Sequence, residues 1–194
     1  QSLNYSAEPF LLLTDLKRMG VTVCKPCIYG RYSLPGKFKV LRNNYELILC
    51  ATSGGDKTWS DPTACGDAPK FAPGGNTRPR TVKGDRAVSK TEYKQPTKCN
   101  AGNIIWCGSV GGGQMGDVMA DNNEAPFPEY VAEVLVRTYC PPGGTVLDCF
   151  GGSGTTSAVA RRHDRNSIYI DLRPEQTTLA EKRVMQSKNR SLNE

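Results

Sequence analysis

The most constraining stretch of this 194-residue chain lies near its C-terminus. Thr145-Val-Leu-Asp148 has the composition of a short buried strand, and Phe150-Gly-Gly-Ser-Gly-Thr-Thr156 is a glycine-rich turn directly after it. Residues 156–162 open a helix. Ser167-Ile-Tyr-Ile-Asp171 reads as a second strand ending in a carboxylate. Residues 174–186 form another helix, with Pro174 in its first turn and Leu179 and Val184 on one side. A helix between two strands returns the chain to the same end of a sheet, so the strands must run parallel. The expectation is an α/β fold with a Rossmann-like, doubly wound and mostly parallel sheet.

Upstream the pattern is less regular. A helix is expected at 126–140, where Val131, Val134, Leu135 and Thr138 recur at helical spacing and Pro141-Pro-Gly-Gly144 stops it. Residues 7–19 read as a helix closed by Gly20, residues 21–29 and 45–51 as strands, and residues 30–44 as a basic loop. Asn103-Ile-Ile-Trp-Cys107 is a further strand. Gly111-Gly-Gly-Gln-Met-Gly116 lacks the Lys-Ser/Thr of a phosphate-binding loop and reads as a flexible connector. Residues 53–102 are rich in Gly, Pro, Thr and Lys and show no apolar periodicity. We therefore divide the chain into a core, residues 1–52 and 103–194, and an insertion, residues 53–102.

Charge sharpens that division. The net charge is +6, from 25 Lys and Arg against 19 Asp and Glu, which is unremarkable over a whole surface. Within 66–99, however, eight basic residues face three acidic ones. Either this is a plain surface insertion, or its cations neutralise nucleic-acid phosphates, with Arg78, Arg80, Lys83, Arg86 and Lys90 as candidates. No apolar run approaches the roughly 20 residues of a membrane span. Several of the eight cysteines lie in apolar, strand-like stretches, which fits reduced thiols in an intracellular protein better than disulfides. Cys24-Lys-Pro-Cys27 has no second pair to complete a zinc site. His163 and the arginines around it, Arg161, Arg162 and Arg165, read as a solvated helix end.

The glycine turn lets backbone approach a ligand closely. Asp171 lies 23 residues after Asp148, near the spacing at which a strand-end acid meets ribose hydroxyls. The turn is Gly151-Gly152-Ser153-Gly154 rather than GxGxxG, and Asp148 beside it would repel a pyrophosphate. A nicotinamide dinucleotide therefore fits poorly. S-adenosylmethionine, with an amino group, a sulfonium and no phosphate, fits better.

Asn123-Glu-Ala-Pro-Phe-Pro-Glu129, Leu147-Asp-Cys-Phe-Gly-Gly-Ser-Gly-Thr-Thr156 and Tyr169-Ile-Asp171, in that order, resemble the C-terminal half of the permuted, β-class DNA amino-methyltransferases, which modify adenine N6 or cytosine N4. Residues 21–29 with Lys25-Pro26, and Asn44-Tyr-Glu46 with Leu47-Ile-Leu49, are similar to that family's upstream strands. The resemblance covers about residues 8–52 and 103–186. It implies a class I methyltransferase sheet with S-adenosylmethionine as cofactor. Double-stranded DNA is the implied partner, there is no membrane, and a homodimer is allowed. The implied setting is the cytoplasm of a bacterium or phage-infected cell, with a restriction–modification role. Phe127 and Pro128 would flank the methionine part of the cofactor, and Asp148 would face its amino group or order the loop. Phe150, Gly152, Ser153, Gly154 and Thr155 would wrap it through backbone groups. Asp171 would hold the ribose, and Leu172 would pack near the adenine.

Two departures stand out. Cys149 replaces the family's proline after the first Asp. The family's Asp/Asn/Ser-Pro-Pro-Tyr/Trp catalytic loop is also missing: Ser60-Asp-Pro-Thr63 has one proline and no aromatic, and Cys140-Pro-Pro-Gly143 sits directly before the cofactor strand. No catalytic residue is assigned. The loop belongs ahead of residue 8, in a segment expected upstream of Gln1. Pro26-Cys27 precedes the cofactor loop, the wrong order for a cytosine-C5 nucleophile, and Cys27 reads as a packing residue. The competing functions are a complete methyltransferase, a cofactor- and DNA-binding fragment without catalysis, and half of an NAD-type oxidoreductase.

Overall fold

The structure is a computed structural model that describes residues 7–32, 44–53, 58–69, 84–85, 96–108 and 127–190. They fall into two compact units, residues 1–61 with 102–194, and residues 62–101. In the first unit the elements run α1 (Glu8–Arg18), β1 (Thr22–Val23), β2 (Cys27–Arg31), β3 (Tyr45–Ile48), β4 (Ala51–Thr52), β5 (Ile104–Cys107), α2 (Glu129–Tyr139), β6 (Thr145–Asp148), α3 (Thr155–Arg162), β7 (Asn166–Tyr169) and α4 (Pro174–Arg190).

The C-terminal βαβα unit forms as the sequence pattern requires. β6 and β7 pair in parallel, with Thr145 opposite Asn166 and Asp148 opposite Tyr169. Helix α3 carries the crossover and is the centre of the core: Ala158, Val159 and Ala160 are wholly buried. Ala132 and Val136 of α2 pack against Val159 and Ala160, with Val146 of β6 beneath. Strand β7 ends at Tyr169, so Asp171 lies two residues past the strand rather than at its last position.

Upstream, Pro26 has no N–H to donate, and the expected strand at 21–29 divides into β1 and β2. The second expected strand divides likewise into β3 and β4. β2 runs antiparallel to β3 and parallel to β5, and β1 pairs with β4. Among the described residues the strands thus form three small sheets rather than one continuous sheet. β3 and β6 each have a strand neighbour on one side only, and both line an apolar cavity of about 660 Å³ floored by α2.

In the smaller unit the chain turns at residues 62–65 and closes on itself. The Cys99 amide donates to the Asp67 carbonyl (2.8 Å) and the Ala101 amide to the Pro62 carbonyl (3.1 Å). The expected connector at 111–116 lies outside the described residues, and so do Asn123 to Pro126 of the upstream motif. Every cysteine is a free thiol. Cys27 is buried, with its Sγ 3.8 Å from that of Cys50. No described helix is long and apolar enough to cross a membrane.

Candidate functional site

The glycine turn between β6 and α3 is braced from the β7 side at three points. The Gly151 amide donates to the Ile170 carbonyl (2.9 Å), the Gly152 amide to Asp171 Oδ2 (2.9 Å), and the Tyr169 hydroxyl to the Gly152 carbonyl (2.6 Å). Two glycines are obligatory on steric grounds. A Cβ on Gly151 would lie 2.2 Å from the Tyr169 ring. Gly154 has φ +78°, and its Cβ would meet the Cβ of Ala180 at 2.6 Å. The turn is therefore pressed between β7 and α4, and it presents its backbone on the remaining side.

The expected cofactor residues sort into two groups. Phe150 and Leu172, at the two strand ends, are 92% and 97% exposed, and Phe127 is 39% exposed. Apolar side chains left open beside a polar turn are suited to cover a flat, partly apolar ligand. Pro128, the N-cap of α2, sets an extended entry to that helix. The other group is structural. Asp148 Oδ1 accepts the Phe150 amide (3.1 Å), so of the two roles expected for it, this geometry supplies loop ordering. Ser153 and Thr155 are buried, with only 2% and 4% of their surface exposed. Their side chains are turned into the protein.

Asp171 is more occupied than a bare strand-end acid. One oxygen takes the Gly152 amide; the other takes the Arg173 amide (2.9 Å), with the Arg173 guanidinium at 3.4 Å. These partners, led by the Arg173 amide, hold its carboxyl below the usual range. Oδ2, which takes the Gly152 amide, keeps a second lone pair, so room remains there for a ribose hydroxyl. The same contacts make Asp171 a brace of the turn, a role its position in sequence did not reveal.

Arg161 is exposed as expected, but Arg162, His163 and Arg165 are not a solvated helix end. Arg162 donates to Glu129 Oε2 (2.7 Å), joining α3 to α2. Arg165 donates through Nε and Nη2 to the Cys140 carbonyl (3.1 and 3.0 Å), holding the end of α2. His163 lies 3.2 Å from Glu133 and is mostly covered. Burial lowers its pKa; Glu133 opposes that shift, while Arg137, Arg162 and Arg165 reinforce it. Sequence spacing had no means of showing that these residues face α2, because the pairs are made across elements.

Among the described residues, the lining of the cavity bounded by β3, β4, β6 and α2 has no acid, Lys, Arg or His; it includes Trp59, Leu135 and Tyr139. Phe127 and Thr156 also line it, so it lies next to the glycine turn. Arg78, Arg80, Lys83, Arg86 and Lys90 lie outside the described residues. Among the described residues, no group of His, Cys, Asp or Glu is arranged to hold a metal ion.

Comparison with known proteins bears on the family and the fold. The chain is 42% identical over 64 residues to the type II methyltransferase M.BglI of Bacillus subtilis, a match spanning 33% of this chain and 18% of that protein. It is 43% identical over 61 residues to M.SmaI of Serratia marcescens, spanning 31% and 21%. The fold matches the cytosine-N4-specific PvuII DNA methyltransferase with a TM-score of 0.62 at 17% identity, covering 97% of this chain and 64% of that one. It matches the complex of M1.HpyAVI with S-adenosylmethionine with a TM-score of 0.60 at 18% identity, covering 93% and 71%. This chain thus spans less than two thirds of the PvuII enzyme and about a fifth of the curated relatives. The fold is that of the class I methyltransferases. The family model for DNA methylases of the adenine-N6 and cytosine-N4 type matches residues 25–182, and the chain belongs to that family.

Proposed function

We propose that this chain is a site-specific DNA methyltransferase that transfers a methyl group from S-adenosylmethionine to the exocyclic amino group of adenine (N6) or cytosine (N4) in double-stranded DNA. The observation that carries the reading is the braced turn Gly151–Gly154 with Phe127, Phe150 and Leu172 left open around it. Bound there, S-adenosylmethionine would supply an electrophilic methyl on its sulfonium. Phe127 and Pro128 would flank its methionine end. Gly152 to Thr155 would offer backbone groups, Asp148 would keep the turn in shape, Asp171 would accept from the ribose, and Leu172 would cover the adenine. Transfer breaks the methyl–sulfur bond, and the target nitrogen sheds a proton. No residue of this chain is assigned to accept it. Calorimetry with S-adenosylmethionine and with NADH tests the site. Binding of the first and not the second is expected, and the reverse would overturn the reading.

A second reading is favoured by one observation. None of the 194 residues forms an Asp/Asn/Ser-Pro-Pro-Tyr/Trp loop, and the chain covers 64% of the PvuII enzyme. On that reading it binds cofactor and DNA but is catalytically incomplete. Among the described residues β3 and β6 each pair on one side only and line one apolar cavity, and further strands would join there. Transfer of labelled methyl to DNA by this chain alone would exclude it.

The basic insertion is the proposed DNA contact. If Arg78, Arg80, Lys83, Arg86 and Lys90 each neutralise a phosphate, replacing all five by Gln should flatten the slope of log affinity against log salt by about 4 to 5. An unchanged slope would remove that role. We place the enzyme in the bacterial cytoplasm, since its curated relatives are bacterial. Sedimentation with and without DNA decides whether a homodimer forms.

A further inference from the structure

The glycine turn is gripped from α4 as well as from β7, by a residue that no site assignment includes. Arg183 lies one turn after Ala180, the residue on which Gly154 packs. Its Nη1 donates to Ser153 Oγ (3.0 Å) and its Nη2 to Glu129 Oε1 (3.1 Å). Glu129 also accepts Arg162 through its other oxygen and directly follows Phe127 and Pro128. The Arg183 and Glu129 side chains are 11% and 17% exposed, so solvent screens this network little. Burial would raise the Glu129 pKa, but the two guanidinium groups outweigh it and hold the carboxyl below its ordinary value.

We propose that Arg183 is a positioning residue: it locks the Gly151–Gly154 turn to the Phe127–Pro128 start of α2, so that two motifs far apart in sequence are held as one cofactor site. The idea rests on the reading of the turn as the S-adenosylmethionine site. Only a planar fork reaches two acceptors on different elements in this way. Pairing between Glu129 and Arg162 alone would tie α2 to α3 without touching the turn. The bond to Ser153 extends the network to the ligand side. Both terminal nitrogens of Arg183 are engaged with Ser153 and Glu129, so Arg183 should act on turn order and, through it, on cofactor affinity.

The test compares Arg183→Met, Arg183→Lys and Ser153→Ala with the unaltered 1–194 chain. One readout needs no ligand: amide hydrogen exchange at residues 152–154, with Val159 in α3 as the control for general loosening. The other is calorimetric affinity for S-adenosylmethionine. Arg183→Met should speed exchange of the turn and weaken the cofactor by about tenfold, the worth of one charged hydrogen bond. The Val159 amide should not change, and Arg183→Lys should recover part of the loss. Should Arg183→Met fail to fold, Ser153→Ala still breaks the bond to the turn and leaves the ion pair with Glu129. It should speed turn exchange to a lesser degree. Turn exchange and affinity both equal to the unaltered chain would overturn the proposal. Failure of the unaltered chain to bind S-adenosylmethionine, with Arg183→Met still loosening the turn, would instead overturn the ligand assignment and leave the lock standing.

Discussion

Helices α1 and α3 contrast two regions of one unit. In α3, Ala158, Val159 and Ala160 have no exposed surface, and the helix packs against both α2 and α4. In α1 no residue is buried, and Phe10, Leu11 and Leu12 are each about half exposed. Both helices contain apolar residues at workable spacing, so sequence pattern does not separate them. What separates them is cover. Residues 127–190 fold back on themselves through βα connections of a few residues, and each helix finds a neighbour at once. Among the described residues α1 packs chiefly against the two-residue strand β1. The open apolar face of Leu147 and Ile168 on β6 and β7 shows that even the better region is covered on one side only.

That contrast can be broken by mutation, and the largest effect should come at Gly154. A valine there forces a left-handed backbone onto a β-branched residue and drives a side chain into Ala180, so Gly154→Val should cost about 3 kcal/mol or more in denaturant unfolding. Tolerance of valine would mean that α4 is not pressed on the turn. Glu129→Gln should follow, at about 2 kcal/mol, because two mostly covered guanidinium groups lose their carboxylate. Its pH dependence has a defined sign. The folded pKa lies below the unfolded one, so the stabilisation is present above about pH 4.3 and is lost as pH falls through the folded value. The gap between the two proteins should therefore narrow on acidification, and a gap that widens would contradict the network.

A direct comparison of the helices comes next in size. Val159→Ala should destabilise by about 1 to 2 kcal/mol through the cavity it leaves, whereas Leu12→Ala should stay within about 0.5 kcal/mol. Equal losses would show that α1 has a packing partner as substantial as that of α3. The smallest effect should be at Asp171, where the change is local. Asp171→Asn keeps the size and removes the charge, so the Gly152 amide should exchange several-fold faster and S-adenosylmethionine affinity should fall by a similar factor. Unchanged affinity would detach Asp171 from the ribose.

Much of the C-terminal region was legible beforehand. β6, α3, β7 and α4 fall within a few residues of their expected positions, because a strand followed by a glycine turn and a helix leaves the chain few alternatives. The upstream strands were placed but not their breaks, since Pro26 interrupts β1–β2 by removing a ladder donor rather than by altering apolar pattern. Among the site residues, Phe127, Phe150 and Leu172 stand open as a ligand-binding surface would require. Arg162 and Arg165 were misread because charge on a helix end is usually solvated, and only cross-element geometry shows otherwise. Arg183 carried no signal at all: one Arg in a polar helix looks like any other.

The sequence by itself determined the order of elements, the glycine turn and the family, because these depend on local backbone preference and on motifs a few residues long. Tertiary structure decided what each polar side chain does. The Gly152 amide 2.9 Å from Asp171 makes that acid a brace of the turn, a role that its place in the sequence does not show. Glu129 and Arg183 became partners only when α2 and α4 met across 54 residues of chain. Hydrogen bonds and ion pairs act over about 3 Å in space whatever their separation in sequence, so their pairing becomes visible only once the chain has folded.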